Sequence, residues 1–287
     1  MFHHCEGARL GVIQGGKLID VSQLDYQTAT SLAELVLGGS TASQALEAAI
    51  SSAPESAKLS IDDVLPALPI AKPEKFICVG LNYALHAKEG GHDIPSYPSF
   101  FLRVPSSLVA AGSDVVRPKC SEQLDYECEL AVVIGKRGRH IDEARALDHV
   151  FGYTLFNDVS LRDYQRKTAQ WTAGKNFDAT GPLGPHVVTA DELPPGASGL
   201  SIRTRVNGKV MQDSNTRDMI FPVAQIISIL SEFMTLAPGD IIATGTPSGV
   251  AHARTPPAWL KPGATVEVEI EKIGVLQNSI VNEINNH

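Results

Sequence analysis

The stretch DYECELAVVIG, Asp125–Gly135, decides how this chain is read. Side chains alternate between the two faces of a strand. Tyr126, Cys128, Leu130, Val132 and Ile134 therefore share one face, and Glu127, Glu129, Ala131, Val133 and Gly135 share the other. Two carboxylates lie side by side on a face that turns apolar further along. Burying both anions without a partner costs several kcal/mol. A hard divalent cation removes the conflict, because Mg²⁺ and Mn²⁺ prefer carboxylate oxygens. The alternative is a solvated acidic face. The chain carries its own control in TVEVEIEK, where Glu267, Glu269 and Glu271 repeat the spacing. That segment reads as an amphipathic hairpin with Val266, Val268 and Ile270 inward, so spacing alone does not separate the two cases.

Around this stretch most elements read as β. Phe76–Val79, Phe151–Asn157, His186–Thr189, Leu200–Val206, Asp240–Thr244, Ala264–Glu271 and Gly274–Val281 are short apolar or alternating runs. Pro-Gly and Asn-Gly pairs at 195–196, 207–208, 238–239 and 262–263 supply the turns. One clear helix is predicted over Pro222–Met234, where Val223, Ile226, Ile227, Leu230 and Phe233 form one apolar stripe. Asp142–Val150 reads as a shorter one. There is no βαβ alternation, so a doubly wound sheet is disfavoured.

The N-terminal part looks different. Ala8–Val12 and Lys17–Val21 flank Gly15-Gly16 as a hairpin, and Leu32–Leu37 and Ala42–Ile50 read as two short helices. LPALPIAKPEK follows, with Pro66, Pro69 and Pro73, which is an extended linker. A boundary there gives a small domain over 1–72 and a larger one over 73–287.

At 287 residues the chain buries roughly three quarters of its unfolded surface. Its net charge of −8 and the lack of a basic stripe argue against nucleic-acid binding. No apolar run reaches about 18 residues, so no membrane span is expected. Cys5, Cys78, Cys120 and Cys128 form no CxxC and read as reduced thiols of a cytoplasmic protein.

Three further stretches carry chemistry. In FNDVSLRDYQRK, Asp158 ends a strand and is placed to be a third ligand, or else caps a turn. A helical turn after it would set Asp158, Arg162 and Gln165 on one face. In VGLNYALHAKEGG, His86 and Glu89 stand at i, i+3, so the carboxylate can orient the imidazole as a base. The prolines of HDIPSYPS then mark a loop long enough to be a lid. TAGKNFD sets Lys175 after Gly174, where a small residue permits close backbone approach. ATGTPSGV offers amides and hydroxyls to a carboxylate, but it lacks the ending of a P-loop. His3, His4, His140, His149, His252 and His287 fall in no ligand-like spacing and read as surface or core residues. No GxSxG is present, so a serine hydrolase is unsupported.

Taken in order, GLNYxxHxxE, DYExEL, NDVSxRDxQ, GKNFD and TGTPSGV strongly resemble the fumarylacetoacetate hydrolase family in its short bacterial form. The resemblance runs from about Phe76 to the C-terminus. It implies an α+β, mainly β fold: a mixed β-roll preceded by a small α/β N-terminal domain, usually assembled as a homodimer or higher oligomer. It implies that Glu127, Glu129 and Asp158 bind Mg²⁺ or Mn²⁺. His86 and Glu89 match the family's water-activating pair. Lys175 matches a catalytic position, and Tyr83, Arg103, Arg162, Gln165 and Thr246 match or accompany positions that hold substrate. The implied substrate is a small anionic 2-oxo acid. The implied activity is hydrolysis of a C–C bond in acylpyruvate-like or 2,4-dioxo acids, in pathways such as aromatic catabolism. Members that decarboxylate oxaloacetate-like acids, or isomerise or hydrate dienol acids, use the same enolate chemistry and stand as the alternative. A carboxylate-binding protein without turnover is a third reading.

Overall fold

The computed structural model describes residues 1–5 and 7–284. Its centre is a seven-stranded mixed sheet. The strand order is Ser99–Leu102, Phe76–Gly80, Ile241–Ala243, Cys128–Ile134, Val150–Asn157, Gly181–Thr189 and Leu108–Ala110. Cys128–Ile134 lies in the middle, antiparallel to both neighbours. A five-stranded sheet contains Lys209–Asn215, Ser201–Val206, Thr265–Ile270, Gly274–Asn282 and Val115–Arg117. This is the mainly β roll that the sequence predicts.

Both faces of the central strand are covered, which is why its pattern is apolar rather than alternating. Leu130, Val132 and Ile134 belong to a core shared with Val266, Val268 and Leu276 of the smaller sheet and with Ile226, Ile227 and Leu230. Ala131 and Val133 point the other way, into a cluster with Leu10, Ile19, Leu32, Leu35, Val36 and Leu46 of the N-terminal part. The N-terminal elements thus cover Ala131 and Val133, while Glu127 and Glu129, at the other end of that face, line a cavity walled by residues between 79 and 252.

Local expectations meet the structure with a few corrections. The two N-terminal helices are present as expected, within the span Leu32–Ser51 and separated at Gly39, whose φ of 59° interrupts helical geometry. The helix Val223–Phe233 buries Val223, Ile226, Ile227 and Leu230 as its stripe requires, while Phe233 is half exposed and meets the Phe100 ring. Glu143–His149 is a 3₁₀ run. Lys209–Asn215 is a strand that the sequence reading missed, because its apolar content is low. Ser99, the last residue of the expected lid, instead opens an edge strand, Ser99–Leu102, paired with Phe76–Gly80.

Candidate active site

Strand pairing builds the site. Cys128 pairs with Asn157 and Glu129 with Phe156. The Glu127 amide donates to Asn157 Oδ1 at 3.0 Å, and the Asp158 amide donates to the Glu127 carbonyl at 2.9 Å. Two carboxylates and a third, 29 residues on from Glu129, therefore meet at one end of the central sheet. Oxygens of Glu127, Glu129 and Asp158 lie within 4.8 Å of one another, and all three residues are buried.

The expectation that a helical turn carries Asp158, Arg162 and Gln165 together is corrected. Ser160–Leu161 is extended and pairs with Leu124–Asp125, so the helix begins only at Arg162. Arg162 reaches backwards instead. Its Nε donates to Asp125 Oδ2 at 2.8 Å, its Nη2 to Glu127 Oε1 at 2.5 Å and its Nη1 to Gln165 Oε1 at 2.9 Å. Lys175 comes from the next helical turn, Thr172–Lys175. A Cβ on Gly174 would fall 2.5 Å from the Gln165 amide nitrogen, so glycine is what lets these two turns pack. Lys175 Nζ donates to Glu127 Oε2 at 2.7 Å and to Asp158 Oδ2 at 2.5 Å.

Arg103 and Tyr83 are placed differently from the expectation that they contact substrate. Arg103 is buried behind Asp158, donating to Asp158 Oδ1 at 2.6 Å, to the Val159 carbonyl, to Thr180 Oγ1 and to Ser107 Oγ. With four of its five N–H groups engaged and its side chain off the cavity wall, it holds Asp158 in place. Tyr83 is 2% exposed and packs within the main core, not on the cavity wall.

The loop after Ile241–Ala243 organises the carboxylates with its amides. Gly245 N donates to Glu129 Oε2 at 2.9 Å, Gly249 N to Glu89 Oε2 at 2.8 Å, and Ala251 N and His252 N to Asp125 at 2.6 and 3.1 Å. TGTPSGV does cradle carboxylates, as its composition suggests, but they are the protein's own. Thr246 Oγ1 accepts from buried Gln212 at 2.8 Å, and Gln212 Oε1 in turn accepts from Cys128 N and Thr204 Oγ1. His86 Nδ1 lies 2.9 Å from Glu89 Oε1 on the short helix Ala84–Glu89. An ionised carboxylate only accepts, so Nδ1 donates to it and Nε2 is the nitrogen left to exchange a proton.

These groups line a cavity of about 390 Å³, at the small end of the range for ligand sites. His86, Glu127, Glu129, Lys175, Thr246 and His252 all face it. Trp171 forms part of the mouth, its ring seated against Gly80 and edge-on to Phe101. Asp125, His252, Gln212 and Trp171 are the residues that sequence reasoning missed. Asp125 stood inside the DYExEL motif, so a signal for it existed. The other three had none.

The electrostatics explain what the cavity can hold. Asp125, Glu127, Glu129 and Asp158 are buried with Arg103, Arg162 and Lys175, one positive charge short of balance. Burial raises the Glu127 carboxyl, but Arg162 and Lys175 outweigh it and hold the pKa well below the usual range. Glu129 moves the opposite way: burial, and the neighbouring Asp158 and Glu127, push it well above the usual range. Burial also opposes ionisation of Asp125, yet Arg162 and His252 keep it low. Three oxygen donors, one of them destabilised as an anion, fit a hard divalent cation. With such an ion and Glu129 ionised, the pocket carries a net positive charge. Such a charge would favour an anion in the cavity despite the chain's overall −8.

A mixed β-roll with three inward carboxylates, a buried lysine and a carboxylate-held histidine fits a metal-dependent enzyme. The chain belongs to the fumarylacetoacetate hydrolase family: the family described as fumarylacetoacetate (FAA) hydrolase C-terminal matches residues 75–281. It is 40% identical over 282 residues to the mitochondrial oxaloacetate tautomerase FAHD2A of Bos taurus, covering 97% of this chain and 89% of that one. Among solved structures it matches the fumarylacetoacetate hydrolase of Exiguobacterium antarcticum with a TM-score of 0.86 and 37% identity, over 98% of each chain. It also matches the maleylpyruvate hydrolase of Sphingobium sp. SYK-6 in complex with manganese(II) and pyruvate, with a TM-score of 0.81 and 29% identity, over 99% and 98% of the chains. The family's enzymes thus include tautomerases and hydrolases, and one of these relatives holds Mn²⁺.

Proposed function

We propose that this protein interconverts the keto and enol forms of a short 2-oxo acid of the oxaloacetate type. The observation that carries it is the pairing of His86 with Glu89 at 2.9 Å beside the carboxylate cluster. A divalent cation held by Glu127, Glu129 and Asp158 would supply Lewis-acid stabilisation of charge on the oxygens of such an acid. The remaining work falls to side chains. His86 Nε2 takes the proton from the carbon next to the carbonyl, and Glu89 stabilises the imidazolium that results. Lys175 spends two of its three N–H groups on Glu127 and Asp158, leaving one to donate to the enolate oxygen. Arg162 keeps Glu127 ionised, and Gln212 sets the orientation of Thr246. The similarity to an oxaloacetate tautomerase, over 97% of this chain and 89% of that one, supports this choice.

Hydrolysis of a C–C bond in acylpyruvates or 2,4-dioxo acids is the second reading. The similarity to maleylpyruvate hydrolase favours it, and the same His86–Glu89 pair would activate water. Both reactions pass through one enolate.

The test follows the decay of enol absorbance of oxaloacetate with metal-stripped protein, then with Mn²⁺ or Mg²⁺ restored. A parallel panel of acetylpyruvate, fumarylpyruvate and a 2,4-dioxo sugar acid is assayed for pyruvate. Metal-dependent ketonisation that His86→Gln lowers about 100-fold or more supports the first reading. Pyruvate from the panel, without acceleration of ketonisation, moves the assignment to the hydrolase. Full activity of His86→Gln refutes the role of the pair in either.

A further inference from the structure

His86 is not alone in its geometry. His252 Nδ1 lies 3.2 Å from Asp125 Oδ2, and the His252 backbone amide donates to the same oxygen at 3.1 Å. The cavity that His86 lines is lined by His252 as well. Asp125 is fully buried, and Arg162 Nε holds its Oδ2 at 2.8 Å, so it stays an acceptor that keeps the His252 proton on Nδ1. Among the described residues no protein group bonds Nε2 of either imidazole. The site therefore presents two carboxylate-held imidazoles to one cavity, each with its Nδ1 spent and its Nε2 unspent. They come from separate parts of the chain: the helix Ala84–Glu89 and the 3₁₀ turn Ala251–Ala253. One loop ties both dyads together, since Gly249 N holds Glu89 and Ala251 N holds Asp125.

Keto–enol interconversion moves two protons, one at carbon and one at oxygen. A single imidazole must release the first and turn to the second, whereas two fixed imidazoles avoid the reorientation. We propose that His252, held by Asp125, is a second proton-transferring side chain of this site, serving the oxygen while His86 serves the carbon; this rests on the tautomerase reading above. In ketonisation the enol O–H bond breaks and its proton passes to neutral His252 Nε2. The electron pair closes the C=O bond as the double bond opens, and the carbon takes the proton from His86 Nε2–H. His252 ends protonated and His86 neutral. Proton exchange through water in the cavity restores the pair, and no oxidant or co-reactant is needed.

The test compares His252→Asn, His252→Gly and the unaltered protein, all loaded with Mn²⁺. Asparagine keeps an N–H for Asp125 but has no basic nitrogen, so a merely structural His252 is rescued by it and a proton carrier is not. The expected result is a fall in kcat of about 100-fold or more in His252→Asn, with KM, Mn²⁺ affinity and Tm near those of the parent. Free imidazole should restore turnover to His252→Gly. Wild-type kcat in His252→Asn, or no rescue of His252→Gly, overturns the inference. A second readout needs no turnover: oxalate, an inert enolate mimic, is titrated into ¹⁵N-histidine-labelled, Mg²⁺-loaded protein. The His252 side-chain nitrogen signal, assigned with the variants, should shift with that of His86, and a shift confined to His86 overturns the inference. If the parent protein does not ketonise oxaloacetate, the tautomerase reading fails. The oxalate titration then decides by itself whether His252 faces the ligand.

Discussion

Asp125→Ala is the most informative single change outside the carboxylate cluster. The Asp125 carboxylate accepts from the amides of Tyr126, Ala251 and His252, from His252 Nδ1 and from Arg162 Nε, at 2.6–3.2 Å, and is completely buried. Alanine removes all five bonds. It leaves the Arg162 guanidinium, also buried, with one carboxylate instead of two. Breaking one side of a buried ion pair costs about 3–5 kcal/mol, and the orphaned amides give no reason to expect less. At about 2.1 cal/mol/K per residue near 60 °C, a chain of 287 residues unfolds with an entropy of about 0.6 kcal/mol/K. The expected loss is then about 5–8 °C in Tm, read by calorimetry, with urea unfolding as a check.

The sign with pH follows from the lowered folded-state pKa of Asp125. Its contribution is complete above the pKa of an unfolded aspartate, about 3.9, and is lost as pH falls through the folded value. The gap between parent and variant should therefore be full at neutral pH and shrink in acid. A neutral-pH loss under about 1 kcal/mol, or a gap that widens in acid, would refute the account of Asp125 as the ionised anchor of Arg162 and the 251–252 turn.

Other outcomes follow from the same geometry. Because Glu129 is pushed above its usual range by burial and by Asp158 and Glu127, loading Mn²⁺ should release protons, and affinity should weaken as pH falls; calorimetric titration in buffers of different ionisation enthalpy reads both. In the metal-stripped protein the same raised pKa favours the folded state in acid, fully below the unfolded glutamate value of about 4.3. That contribution declines as pH rises through the folded value, so metal should raise Tm more at pH 8 than at pH 5. Lys175→Met should lower kcat by about 100- to 1,000-fold through loss of an oxyanion donor, and should also lower Tm because Glu127 and Asp158 lose their shared cation; unchanged Tm would contradict the ion pairs. Leu230→Ala in the helix Val223–Phe233, at a fully buried position, should cost about 2–5 kcal/mol in urea unfolding with kcat preserved.

Much of this was readable one residue at a time. Alternation along Asp125–Gly135 put Glu127 and Glu129 on one face, and the two core clusters divide the strand the same way. The i, i+3 spacing of His86 and Glu89 placed a carboxylate against an imidazole, because one helical turn is a local matter. Gly174 signalled a close approach, which Gln165 supplies. Arg103 and Arg162 read as cations for a ligand; Arg162 does line the cavity, but both also hold Asp158, Asp125 and Glu127, partners chosen by strand pairing and out of reach of local reasoning. His252 had no spacing to mark it, since its carboxylate partner lies 127 residues earlier in the chain.

The two acidic stretches show where sequence ends and tertiary structure begins. Local chemistry determined that Glu127 and Glu129 share a face, and likewise Glu267, Glu269 and Glu271, because side-chain alternation is a property of the strand itself. It also determined that Val266, Val268 and Ile270 point inward, and each is nearly fully buried. It did not determine the fate of the acids. Glu269 remains a third exposed and pairs with Arg205 across an adjacent strand, an ordinary surface arrangement. Glu127 and Glu129 stand at the end of the central strand, enclosed by Arg162, Lys175 and the Gly245 loop, with Asp158 brought in beside the neighbouring strand. Burial depends on which element covers a face, and that is settled by contacts between segments far apart in the chain. The same spacing therefore yields a solvated ion pair in one place and a carboxylate cluster fit for a metal in the other.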